Sequence, residues 1–171
     1  MESISSGLRR AMVRAAFNCY PPYRGSGARV ADISPDFRSF TVRIDLNWRT
    51  RNLVGTVFGG SIYTATDPIF MTILIIGLGP EYVVWDKAAT VQFKRPGNSS
   101  LTAVLSIADS EIESIKKELE TVRSTDREYT AELSDKAGNV CATVKKTLYI
   151  AHRKEGKNQK VRPIYGWLMK G

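Results

Sequence analysis

The feature that most constrains this chain is the stretch from Gly60 to Leu78, which is almost wholly apolar yet carries Asp67 and Pro68 near its middle. A membrane span needs about 20 predominantly apolar residues. The uninterrupted part here, Ile69 to Leu78, is far shorter, so the stretch reads as a buried central helix with a bend near Pro68 rather than a span. An apolar helix without a polar face must be covered on all sides, and a sheet wrapped around it is the compact way to do so.

The flanking sequence supplies such a sheet. Residues 28–34 and 38–46 read as strands around a turn at Pro35-Asp36. In the second, Val42, Ile44 and Leu46 alternate with Thr41, Arg43 and Asp45. Strands resume at 82–95 and 100–108, joined by the turn Pro96-Gly-Asn-Ser, and at 127–134 and 139–151, around an Asp135–Gly138 hairpin turn. Ser110 and Glu113 suggest a capping box opening a surface helix over 110–122, with Glu113 and Lys117 paired along it. The short links after the central helix predict an antiparallel meander. A first helix over 3–19, with Leu8, Met12, Ala15 and Ala16 on its inner side, is stopped by Pro21-Pro22. At 171 residues this is one α+β domain: an N-terminal helix and loop over 1–27, a core over 28–151, and a basic, then aromatic, tail over 152–171.

Several function classes are disfavoured. The single histidine, His152, falls in the charged tail, so no Ser-His-Asp or Cys-His arrangement can be built. No metal-ligand spacing, P-loop or dinucleotide fingerprint is present, and no metal or separate cofactor is expected. Cys19 and Cys141 have no redox spacing, and the N-terminus has no secretory pattern, so a reduced, cytoplasmic compartment is expected. The net charge of +8 follows no nucleic-acid motif and suits a small polyanion equally well.

The segment Asn52-Leu-Val-Gly55-Thr-Val-Phe58-Gly59-Gly60, followed by Asp67, concentrates the remaining chemistry. Paired glycines where a loop becomes a helix permit close approach of a ligand, and the first free amides of a helix form an oxyanion hole for a thioester carbonyl. Asp67, in apolar surroundings, must either have a structural partner or serve function. This pattern, with the strand ending Phe93-Lys-Arg-Pro-Gly97, resembles the phenylacetate-type branch of the hotdog-fold thioesterase superfamily over residues 29–151.

The resemblance implies hydrolysis of an acyl-CoA-type thioester, with coenzyme A as part of the substrate. Asp67 is then the general base or nucleophile, the Gly59 amide the oxyanion donor, and Asn52 an aid in placing water or carbonyl. It also implies a homo-oligomer, a dimer or a dimer of dimers, with Asp67 of one subunit serving the loop of the other. Phe58 stands where many members carry His, which argues against the dehydratase relatives and leaves a non-catalytic acyl-CoA binder as the alternative. Phe58 and Gly60 would line the substrate site, and Lys94 and Arg95 would meet the phosphates. Trp85, Tyr63 and Met71 read as core, and Trp48 with the aromatic tail Ile164–Met169 as subunit contacts.

Overall fold

The computed structural model describes residues 6–153. The elements run α1 (Ser6–Cys19), α2 (Pro21–Gly25), β1 (Ala28–Ile33), β2 (Ser39–Ile44), α3 (Gly59–Leu78), β3 (Tyr82–Phe93), β4 (Leu101–Ser106), α4 (Asp109–Leu119), β5 (Ser124–Ser134) and β6 (Val140–His152). Six strands form one sheet in the order β1-β2-β4-β5-β6-β3, every pair antiparallel. This is the α+β hotdog architecture, a sheet wrapped about one long helix.

Helix α3 is long and apolar enough to cross a membrane, but ten of its residues, from Ser61 to Leu78, are buried inside the fold. Inward residues of the sheet close on it: Phe40, Val42 and Ile44 from β2, Leu101, Ala103 and Leu105 from β4, and Ala142, Val144, Leu148 and Ile150 from β6. Burial of these side chains at about 25 cal/mol per Å² is the main term holding helix and sheet together.

The simple meander fails at one strand. β3 does not pair with β4, although only seven residues separate them; it runs along β6 over its whole length, at the far edge of the sheet. The link turns across the end of β6, where the amides of Lys94 and Arg95 both bond the Cys141 carbonyl, and the Gly97 carbonyl takes the Val57 amide. The hairpin between β5 and β6 is as expected: Gly138 holds φ +84°, and Asp135 Oδ1 accepts the amides of Ala137 and Asn139.

Four local expectations are corrected. Pro21-Pro22 ends α1 but opens α2, where the missing proline N–H costs nothing at the first helical positions. Helix α1 buries Val13 and Phe17, not Leu8 and Met12, because the aromatic ring of Phe17 packs edge-on against Tyr23 and Phe40. Helix α4 starts at Asp109 after Ala108 with no side-chain cap, so Ser110 sits within the first turn; Glu113 pairs with Lys116 rather than Lys117. His152 belongs to β6, its ring stacked on Tyr82 at 4.5 Å. The tail aromatics Ile164–Met169 lie outside the described residues.

Candidate active site

The loop before α3 is held at both ends. Asn52 organises its turn: Oδ1 accepts the amides of Val54 and Thr56, and Nδ2 donates to Thr56 Oγ1 at 2.9 Å. The Asn52 carboxamide thus acts on the shape of the loop. Phe58 N donates to the Thr50 carbonyl, which swings the chain into the helix. The first turns of α3 are moored by Ser61 Oγ on the Ser26 carbonyl (2.6 Å) and Tyr23 Oη on the Ala65 carbonyl (3.0 Å).

Phe58 precedes the helix with extended backbone and offers no side-chain cap. Its carbonyl takes the amides of Ser61 and Ile62, while those of Gly59 and Gly60 have no partner among the described residues. The glycines are required for close approach, not for unusual backbone angles. A Cβ on Gly59 would stand 2.9 Å from Phe93 Cζ, and one on Gly60 2.3 Å from Phe58 Cε1. Two rings, Phe58 and Phe93, thus flank the free amides, and both are exposed. Lys94 and Arg95 follow Phe93 directly; Lys94 lies 4.0 Å from Glu132, and Arg95 donates to Asn139 Oδ1.

Asp67 sits in a different place. It stands eight positions after Gly59, about 12 Å along a helix rising 1.5 Å per residue, so one chain cannot bring both to a single carbonyl. It lies on the side of α3 that its own sheet covers least, in a stripe of four-residue spacing with Tyr63, Met71 and Ile75. Tyr63 and Trp85 are therefore not core: Tyr63 is half-open beside Asp67, and Trp85 stacks on Tyr149 at 5.6 Å.

Nor is Asp67 alone. Lys146, an inward residue of β6 with no exposed surface, donates to Asp67 Oδ1 (2.7 Å), to the Asp67 carbonyl (3.1 Å) and to Asp86 Oδ2 of β3 (2.6 Å). The side chain of Asp67 nonetheless remains 40% exposed, so the group is tied to Lys146 and still reachable from outside. Burial would push both carboxyls up. For Asp67, the hydrogen bonds of Lys146 and Tyr63 outweigh burial and hold the group below the ordinary carboxylate range. For Asp86, burial wins, the neighbouring Asp67 adds to it, and the group lies above that range. Burial, with the same carboxylate, pushes the Tyr63 hydroxyl up to about 12.

The fold thus presents two separate features: amides of Gly59 and Gly60 between two aromatic rings, and a half-open Asp67 two turns further along the same helix. Residues 9–150 match a single family model, described as a domain of unknown function, DUF4442. The chain belongs to the DUF4442 family. No curated protein is significantly similar to this DUF4442 chain. Solved structures share its fold. A Pseudomonas aeruginosa protein of unknown function, described as a probable thioesterase, superposes with a TM-score of 0.74 at 16% identity, over 84% of this chain and 95% of that one. A thioesterase from Haemophilus influenzae gives 0.62 at 12% identity, over 92% and 96%. The Escherichia coli PaaI protein of the phenylacetic acid degradation operon gives 0.57 at 16%, over 89% and 96%.

Proposed function

We propose that this DUF4442 protein hydrolyses an acyl-CoA-type thioester at a site completed by two copies of the chain. The observation carrying the reading is the separation of its two halves: unpartnered amides at Gly59 and Gly60, and an accessible carboxylate at Asp67, about 12 Å apart on one helix. A two-fold arrangement that pairs β3 with β3 of a second copy brings the Gly59 loop of one subunit toward the Asp67 stripe of the other, because Phe93 of β3 packs on Gly59 and Asp86 of β3 reaches Lys146. The thioesterases among the fold relatives support the reaction class.

In this reading Asp67 takes a proton from water as the water oxygen bonds to the thioester carbonyl carbon. Negative charge gathering on the carbonyl oxygen meets the Gly59 amide, aided by the positive end of α3. Collapse of the tetrahedral species breaks the C–S bond, and the leaving sulfur takes up the proton held by Asp67. In the other route through the same residues, the Asp67 carboxylate displaces the thiolate to form a mixed anhydride that water then hydrolyses; single turnover in heavy-oxygen water separates the two, since only the anhydride, attacked at the aspartyl carbonyl, carries label into the protein. Phe58 and Phe93 line the approach of the acyl group, and Lys94 and Arg95 lie where phosphates of coenzyme A would extend into solvent.

The test is turnover of a panel of acyl-CoAs, from acetyl to long-chain and aromatic, by the wild type and by Asp67→Asn. The expected result is hydrolysis of at least one member, lost by roughly 10²–10⁴-fold in the variant. Absence of turnover throughout, or an unimpaired variant, removes the enzymatic reading. The Phe58 ring over Gly60, where the resemblance to hotdog thioesterases leads one to expect a histidine, favours a second reading, a non-catalytic acyl-CoA binder; calorimetric binding without turnover is its signature.

A further inference from the structure

The buried ammonium beside Asp67 needs its own explanation. Lys146 lies at an inward position of β6, between Val144 and Leu148, the inward residues on either side of it in the strand, both apolar and fully buried. An ammonium there is costly unless each of its three protons is taken, and here each is: by Asp67 Oδ1, by Asp86 Oδ2 and by the Asp67 carbonyl. The ring of Tyr63 lies 5.2 Å from Nζ. A hydrophobic residue of similar length would fill the same space at no such cost, so packing alone does not call for this group.

The backbone is shaped to the contact. β3 carries a bulge between Asp86 and Ala88, next to which Asp86 stands opposite Leu148 and Ala89 opposite Lys146. Both Asp86 and Ala89 therefore face the helix side, and the small Ala89 leaves room for Asp86 to reach Lys146 diagonally. Lys87, the extra residue, turns away to Asp126. Asp86 keeps its other oxygen, Oδ1, buried and without a partner among the described residues. Among those residues, the groups facing Lys146 are Tyr63 and Asp67 from α3, Asp86 from β3, and Tyr129 across from it on β5, whose hydroxyl goes to Glu111.

We propose that Lys146 and Asp86 are positioning residues of the thioesterase site: the ammonium fixes the direction in which Asp67 presents its second oxygen, and Asp86 sets how strongly it does so. This rests on the reading of Asp67 as the group that acts on the thioester. The trio holds two negative charges against one positive, so a proton added to it goes first to one acid. The environment favours Asp86, whose carboxyl lies above the usual range, and spares Asp67, which lies below it. Falling pH therefore protonates Asp86 while Asp67 stays ionised, and the hydrogen bond of Lys146 shifts toward Asp67.

Removing the positive charge and removing the negative one must act on Asp67 differently. In Lys146→Met the two carboxyls face each other unscreened, so the acid limb of the pH profile for kcat moves up by about one to three pH units. In Asp86→Asn, which keeps shape and hydrogen bonding, the neighbour is neutral at every pH, as it already is in the wild type where Asp67 takes its proton; the limb stays, and the extra step that ionisation of Asp86 imposes on Asp67 is lost. KM changes little in either, because neither residue lines the approach to the Gly59 amides. Carboxyl carbon NMR titration of Asp67 reads this without substrate: two steps in the wild type, the lower one alone in Asp86→Asn. A purely structural trio would lower the yield of folded protein and give Asp67 the same single step in both; that result overturns the proposal, whether or not Lys146→Met folds. If no thioester is turned over but the upper step vanishes in Asp86→Asn, the reaction is wrong and the trio stands. If turnover is seen and Asp67 titrates alike in both, the trio is wrong and the reaction stands.

Discussion

At one edge of the sheet, β1 is met by helix α1. Asn18 both donates to the Val30 carbonyl (3.0 Å) and accepts the Val30 amide (2.8 Å), Arg14 reaches the Ala31 carbonyl, and Arg10 the Ile33 carbonyl. Side chains of a helix here stand in for a neighbouring strand. At the other edge β3 runs twelve residues along β6 with no further strand beyond it among the described residues, and Ala88, Ala89, Thr90, Gln92 and Phe93 lie exposed. Its two charged residues, Asp86 and Lys87 at the bulge, are turned to Lys146 and Asp126. Natural edges are usually blunted by charge, proline or a covering element. One edge of this sheet is closed by design and the other is left fit for pairing, and the open one borders both half-sites.

That contrast can be broken from either side. The largest effect is expected at β3: Ala88→Asp with Thr90→Asp, both exposed and near the middle of the strand, sets like charges facing each other across a two-fold. Sedimentation should show dissociation to single chains with melting little changed, and thioester turnover should fall on the order of a hundredfold as the half-sites separate. A smaller effect of a different kind is expected at β1. Asn18→Ala strips both polar groups of Val30 of their partner, lowering stability by about 1–3 kcal/mol in denaturant melts, with mass and turnover per folded molecule unchanged. Arg14→Ala, whose contact is long and exposed, should cost under about 0.5 kcal/mol.

The sequence made the architecture legible because its strongest signals were unambiguous. An apolar run too short to span a membrane, alternating strands and a glycine pair at a helix start leave few ways to fold. The order of strands was not legible, because short links suggest neighbours, whereas β3 is drawn past β4 by its pairing with β6 along its whole length. The covering of β1 was missed for a related reason: a hydrophobic pattern places Leu8 and Met12 inward, while polar reach from Asn18, Arg14 and Arg10 turns Val13 and Phe17 to the core instead.

In the site, Asp67 and the Gly59-Gly60 pair stood out because each is unusual where it sits. Lys146 and Asp86 did not, though a signal existed. Period-two alternation in β6 puts Ala142, Val144, Leu148 and Ile150 inward, and the same count puts Lys146 among them. A lysine in phase with a buried face requires an acid, and Asp67 is the other charge stranded in apolar surroundings. Asn52 was legible as a residue of the loop, but its use of every acceptor contact on Val54 and Thr56 depends on the turn closing, which spacing alone does not give.

The central claim, that one subunit's Gly59 loop serves the other's Asp67, is tested most directly by complementation. Asp67→Asn keeps an intact loop, and Gly59→Val, whose Cβ meets Phe93, keeps an intact carboxylate. Each alone should be inactive. Mixed and allowed to exchange subunits, half the dimers would carry one whole site, and about a quarter of wild-type turnover should return. A mixture as inactive as either parent, with mixed dimers present by mass, would contradict the account.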